Sequence, residues 1–243
     1  APPPYSLLNP NKIPGLSKVI KVAGGYDYSM VLRDDGTVIA FGLNGRGQLG
    51  NGTLNSSSVP TTVSLNDSIV DIAVGWSSSY AISANGDLWA WGSNRVGQLG
   101  TGAPVGNSEY SSLPVKVSID SVIMIRTENY STLALRQDGT VWAWGSNASG
   151  QLGNGTQNDE NLPVRVQGLD SIVEVGMASG VGLAIDVNGN VYSWGGVGFT
   201  LGNGINVSKK LIPSPISPIS CNPFISLTEQ AAQKPLVEIY PNP

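Results

Sequence analysis

The segment FGLNGRGQLGNG at 41–52 returns as WGSNRVGQLGTG at 91–102 and WGSNASGQLGNG at 144–155, and in weaker form as WGGVGFTLGNG at 194–204. The glycine after the aromatic residue stands at Gly42, Gly92, Gly145 and Gly195, in steps of 50, 53 and 50 residues. A second marker, Gly36, Gly86, Gly139 and Gly189, keeps the same register. A chain that repeats itself at such a period builds an array of like units, each covering an apolar face of its neighbour.

Every repeat reads as the same four runs. Apolar residues come first, at Val19–Val22, Ile69–Val74, Val122–Ile125 and Ile172–Val175, and a second short run follows at Ser29–Leu32, Ser79–Ile82, Thr132–Leu135 and Gly182–Ile185. Asp35-Gly36, Asn85-Gly86, Asp138-Gly139 and Asn188-Gly189 then supply the positive φ of a tight hairpin. The third run, Thr37–Phe41 and its counterparts ending at Trp91, Trp144 and Trp194, alternates as a half-buried strand does. After a Gly-rich loop comes a run led by Pro60, Pro114, Pro163 and Pro213. Proline donates nothing to a ladder, so this run is a strand start or an edge strand. Four short antiparallel strands per repeat predict an all-β fold, a β-propeller of four-stranded blades.

Composition fits. The 31 glycines and 16 prolines serve the turns. Charged residues are 12 % of the chain, about half the usual share, so polar cover must come from Ser, Thr and Asn. A net charge of −4 offers no basic footprint for nucleic acid. No apolar stretch is long enough to span a membrane. The single cysteine, Cys221, allows no internal disulfide.

The order aromatic, Gly, Ser, Asn, two variable residues and Gly-Gln-Leu-Gly, with Asp-Gly-Thr-Val upstream and a Pro-led strand behind, resembles the regulator of chromosome condensation repeat. The resemblance covers about residues 10–217. It implies a propeller that is seven-bladed in that family when complete, so these four repeats are expected to be part of such a ring. The fourth repeat departs from the pattern, with Thr200 where Gln is expected and a loop one residue shorter. The expected organisation is the end of an upstream repeat over 1–18, four propeller repeats over 19–218 (about 19–68, 69–121, 122–171 and 172–218), a linker over 219–235 and a further segment over 236–243. That last segment, LVEIYPNP, resembles the opening of the C-terminal sorting domain used by type IX secretion, with Tyr240, Pro241, Asn242 and Pro243 as its signature. It implies a cargo of the secretion translocon, carried to the surface or outside of a Gram-negative bacterium.

Catalytic chemistry finds little footing. The chain has no histidine, which removes His-based triads, His general bases and the usual zinc spheres. Carboxylates are scattered, and Asp159-Glu160, the adjacent acidic pair, reads as a solvated loop tip. The Gly-Gln-Leu-Gly loops lack the Lys and helix of a phosphate cradle. Their expected work is structural: Gly for close approach, Gln for backbone bonds, Leu for the gap between blades. No cofactor, metal site or catalytic residue is expected. Phe41, Trp91, Trp144 and Trp194 are read as core between blades, as are Trp89 and Trp142.

Recognition should fall on loops that break the repeat. Trp76, in the loop between the first two strands of its repeat, reads as a non-repeated aromatic and a partner contact. Tyr110, in the variable loop 103–111, and Asp159 and Glu160, in the variable loop 156–161, are the other candidates. Asp67-Ser68-Ile69, Asp120-Ser121-Val122 and Asp170-Ser171-Ile172 occur in register. They resemble the O-glycan acceptor motif of bacteria that use type IX secretion, which makes Ser68, Ser121 and Ser171 candidate modification sites. The competing reading is turn chemistry, with Asp or Ser bonding its own backbone. The expected function is a non-enzymatic secreted or cell-surface propeller that binds a protein or a surface ligand. A secreted enzyme inhibitor of the β-lactamase-inhibitor propeller type is the alternative. Guanine-nucleotide exchange or chromatin binding fits less well, and none of the founding member's exchange residues is recognisable in the repeat markers.

Overall fold

Four hairpin-linked strands form each sheet because the turn residues close where the sequence places them. Gly36, Gly86, Gly139 and Gly189 all take positive φ between 77° and 82°. The computed structural model describes residues 12–196, 201 and 209–216. Blade I is β1 (Val19–Gly24), β2 (Tyr28–Arg33), β3 (Val38–Gly42) and β4 (Ser57–Thr62); blade II is β5 (Ile69–Val74), β6 (Ser78–Ser83), β7 (Leu88–Ser93) and β8 (Tyr110–Lys116). Blade III is β9 (Val122–Glu128), β10 (Ser131–Arg136), β11 (Val141–Gly145) and β12 (Glu160–Arg165); blade IV is β13 (Ile172–Ala178), β14 (Val181–Asp186), β15 (Val191–Gly195) and β16 (Lys210–Pro215). Each sheet runs in sequence order with antiparallel neighbours. The expected all-β fold of four-stranded antiparallel blades is the fold observed, with no α-helix among the described residues.

In blades II to IV the first strand buries residues three apart, Ile69 and Ile72, Val122 and Ile125, Ile172 and Val175, and exposes Val70, Ile123 and Val173 between them. A plain strand would bury every second residue. A shift of register after the first residue inserts one extra residue and turns it outward. First strands of successive blades touch one another, β1 to β5, β5 to β9 and β9 to β13, so they form the inner side of the arc and the fourth strands its rim. By strand direction, the loops joining first to second and third to fourth strands lie at one end of the blades. The second-to-third turns and blade-to-blade links lie at the other.

The repeated motif makes the seams. Trp91 Nε1 donates to the Gln48 carbonyl at 2.9 Å, Trp144 to Gln98 at 2.8 Å and Trp194 to Gln151 at 2.8 Å, each from one blade to the blade before. The three indoles are fully buried, among clusters that also hold Leu49, Leu99 and Leu152. A Cβ on Gly100 would stand 2.7 Å from Trp144 Nε1, so only glycine fits there. Gln48, Gln98 and Gln151 accept backbone N–H from Arg46, Val96 and Ser149 through Oε1. Asn44, Asn94 and Asn147 brace the loop from inside by accepting the N–H of Leu49, Leu99 and Leu152.

Some expectations need correction. Phe41 is only half-buried, because it lies on the face of blade I that no described sheet covers. Trp89 and Trp142 are also half-buried, their indole N–H groups bonded to Asp67 Oδ2 at 2.8 Å and Thr140 Oγ1 at 3.1 Å. The fourth strands begin before their prolines, at Ser57, Tyr110, Glu160 and Lys210. They tolerate proline mid-strand because each is the rim strand, with a register break at that point. Thr200, Cys221 and residues 236–243 lie outside the described residues.

Candidate functional site

The inner end of the arc carries a row of aromatic rings. Trp76 sits in the β5–β6 loop, 40 % exposed, where the sequence places it. It is not alone. Tyr26, in the β1–β2 loop, lies 4.8 Å from it between ring centroids at an interplanar angle of 37°. Tyr130, in the β9–β10 turn, stacks on it at 5.7 Å and 11°. Trp76 is thus not a non-repeated aromatic: it is the middle of a row drawn from three blades. Tyr26 occupies the same place in its repeat, a signal available in Gly25-Tyr26 beside Gly75-Trp76. Tyr130 was hidden because it comes one residue later in its repeat. Asn129 in the left-handed region, φ 51°, turns the chain so that Tyr130 joins the row.

Backbone bonds tie the loops together. Tyr26 N donates to Trp76 O at 3.4 Å, and Trp76 N to Asn129 O at 3.3 Å. Among these loops opens a cavity of about 290 Å³ lined by Tyr26, Trp76, Thr127, Glu128 and Asn129, among others, but not by Tyr130. The other five tryptophans direct their indole N–H to protein acceptors. Among the described residues, Trp76 Nε1–H and the hydroxyls of Tyr26 and Tyr130 have no such partner. In contrast, the buried hydroxyls of Tyr28 and Tyr80 are bonded: Tyr28 donates across a seam to Ser78 O at 2.6 Å, and Tyr80 donates to Gln98 O of its own blade at 2.7 Å and accepts from Thr132 Oγ1 of the next blade at 3.0 Å. Burial raises the pKa of both.

The remaining candidates sit at the rim of the same end. Tyr110 is the first residue of β8 and not a loop residue; it is exposed and borders a separate recess with Asn94, Thr101, Pro104 and Val115. Glu160 opens β12, and Asp159 precedes it. Asp159 is exposed but does more than tip a loop, since its Oδ1 accepts the Asn147 N–H at 2.7 Å. Glu160 Oε1 accepts from Asn154 Nδ2 at 3.2 Å. The cavity at Trp76 is lined by none of these three.

Ser68, Ser121 and Ser171 lie at the opposite end, Ser68 and Ser171 exposed and Ser121 half-buried. Ser121 and Ser171 take positive φ of 54° and 55°, as does Lys18 in the first repeat. The aspartates before them do not bond their own backbone. Asp67 accepts the Trp89 indole, Asp120 pairs with Arg136, and Asp170 pairs with Arg165 at 3.0 Å. No three His, Cys, Asp or Glu side chains cluster for a metal among the described residues. No helix in them is long and apolar enough to cross a membrane.

Comparison with known proteins agrees with this architecture. The family model described as "Regulator of chromosome condensation (RCC1) repeat" matches residues 35–82, 85–135 and 138–185. A second model of the same description matches 19–48 and 69–98. The chain is 30 % identical over 182 residues to the E3 ubiquitin-protein ligase HERC2 of Mus musculus, covering 73 % of this chain and 4 % of that protein. It is 30 % identical over 185 residues to the ultraviolet-B receptor UVR8 of Arabidopsis thaliana, covering 73 % and 41 %. The chain thus spans less than half the length of either relative. Among solved structures, human WBSCR16 superposes with a TM-score of 0.72 at 26 % identity, covering 82 % of this chain and 52 % of that one. Yeast RCC1 (Prp20), in its complex with Kap60, superposes with a TM-score of 0.74 at 24 % identity, covering 86 % and 51 %.

Proposed function

The chain belongs to the regulator of chromosome condensation (RCC1) repeat family, and from that premise we propose that it is a non-enzymatic module that binds a protein partner through the inner, aromatic end of its blades. The observation that carries this reading is the row Tyr26–Trp76–Tyr130. Large aromatics held on a rigid frame anchor interfaces. Yeast RCC1 (Prp20), a relative in fold, is seen with Kap60 bound. Every repeat marker traced above has a structural task, and the chain has no histidine for acid–base work at neutral pH. Tyr110, Asp159 and Glu160 form an outer part of the same end, within reach of a broad partner.

The partner is to be captured by the intact protein as bait. Trp76→Ala is expected to weaken capture by about 2 kcal/mol or more, the size of an interface hot spot. Undiminished capture by that variant, correctly folded, would place the contact elsewhere. Turnover of a glycan, peptide or nucleotide by the purified protein would end the non-enzymatic reading.

The proposal extends to export. Support comes from Leu236–Pro243 alone, whose Tyr240-Pro241-Asn242-Pro243 ending resembles the start of a type IX sorting domain. The module then acts outside the cell or on its surface, with the secretion translocon as a second partner. Ser68, Ser121 and Ser171 sit at the end away from the aromatic row, so glycans there would leave it clear. Truncation of the natural protein after Lys234 is expected to leave the propeller folded and trapped inside the cell. Normal secretion of the truncated form would overturn the export reading.

A further inference from the structure

Trp76 stands between a tyrosine of the blade before and a tyrosine of the blade after, and its ring faces are taken up by those neighbours. What Trp76 shows to solvent is therefore mainly its edge, while Tyr26, 69 % exposed, keeps its outer side open. Aromatic edges are electropositive and faces electronegative. Added to those edges are the Trp76 indole N–H and the Tyr26 and Tyr130 hydroxyls, none bonded to a protein acceptor among the described residues. The row thus offers donors and positive edges to whatever lies on it. A sugar ring or a cation would want free ring faces, which the stacking removes at Trp76. An anion would meet Asp27, next to Tyr26 in the loop, and Glu128, which lines the cavity. The nearby cations are already paired, Lys21 with Asp71 and Arg126 with Glu174.

A neutral ligand rich in acceptors satisfies all of these conditions, and an extended polyproline II backbone is one. It has no internal hydrogen bonds and leaves its carbonyls open to donors. The spacing agrees as well. With successive centroids 4.8 and 5.7 Å apart, the outer rings stand at most about 10.5 Å from each other, which admits about one turn of a helix that rises ~3.1 Å per residue with three residues per turn. Prolines one turn apart would then meet the two ends of the row, with the carbonyls between them facing the indole N–H. Asp27 and Glu128 would favour a basic residue beside the prolines.

Resting on the reading that this end binds a protein, we infer that the Tyr26–Trp76–Tyr130 row is a docking site for a proline-rich segment of the partner, held in the polyproline II conformation by edge contacts and by bonds to its carbonyls.

The test uses the full chain and a blocked peptide of Pro-Pro-Leu repeated four times, with Gly-Ser-Leu repeated four times as control. Binding is followed by calorimetry and by the intrinsic tryptophan fluorescence of the chain. Saturable binding of the proline peptide in the micromolar range, with none of the control, is expected. Tyr130→Phe, which removes one hydroxyl and keeps the ring, should weaken it severalfold, and Trp76→Ala at least tenfold. Circular dichroism checks that both variants fold; if Trp76→Ala does not, Trp76→Phe, which removes only the indole N–H donor and part of the ring, takes its place. No binding of the proline peptide, equal binding of the control, or full binding by the folded Trp76 variant overturns the inference. Competition separates the two levels. If capture of the partner depends on Trp76 but the proline peptide neither binds nor competes, the docking end stands and the proline chemistry fails. If capture is indifferent to Trp76, the docking end itself fails.

Discussion

Tryptophan at the end of the third strand serves as both filler and fastener. Trp144 is fully buried between blades II and III and donates its indole N–H to Gln98 O. Trp144→Ala is expected to destabilise the protein by about 3–5 kcal/mol, the usual cost of deleting a large buried aromatic. Urea denaturation measures this, and a loss under about 1 kcal/mol would show that the ring does not hold the seam. Trp144→Phe should lose less, since Tyr80 Oη still donates to the same carbonyl. Gly100 shows the same seam from its other side. Alanine there meets the Trp144 ring and also needs a left-handed backbone, φ 68°, which is strained for any residue with a Cβ.

The second-to-third-strand hairpins of blades I, III and IV carry the pH dependence. Asp35 accepts the Thr37 backbone N–H, which holds its carboxyl below the usual aspartate range. For Asp138 the Thr140 hydroxyl is the main cause, and for Asp186 the Asn190 side-chain amide. A carboxyl whose pKa is lowered by folding stabilises the native state above its unfolded value, about 3.9, and loses that contribution as pH falls through the folded value. Thermal melts should therefore be nearly level from pH 5 to 8, where no histidine titrates, and should fall below about pH 4. Asp138→Asn and Asp186→Asn should flatten the acid limb. An unchanged limb in both would mean that these turns do not set acid stability.

At the scale of the whole molecule, the arc behaves as a row of coupled units. Blades II and III are each packed on two neighbours, blades I and IV on one among the described residues. Val22 is 72 % exposed, while Ile72, Ile125 and Val175 at the same place in the other repeats are at most 2 % exposed. Ile185 of blade IV is 37 % exposed against 0 % for Leu135. In repeat arrays, stability is carried largely by nearest-neighbour interfaces. In this 243-residue chain, amides of β2 and β14 should exchange hydrogen faster than those of β6 and β10, as mass spectrometry of deuterated peptides would read. Uniform protection across all four blades would contradict this coupling.

Fifty-residue periodicity was enough to predict the strands, the order within each blade and the seam tryptophans Trp91, Trp144 and Trp194, because those depend on contacts that recur from unit to unit. Gln48, Gln98 and Gln151, with the tryptophans they meet, are the same arrangement three times over, so repetition in the sequence is repetition in the contacts. The aromatic row had only a partial guide of this kind. Tyr26 and Trp76 hold the same place in their repeats, but Tyr130 comes one residue later in its own, and only the inward convergence of the first strands brings the three together. Likewise, the half-burial of Trp89 and Trp142, and the ties of Asp67 to Trp89 and Asp120 to Arg136, follow from where strands end at the rim and the blade links. Local pattern determined what each repeat makes; packing between repeats decided which side chains meet and which remain open to a partner.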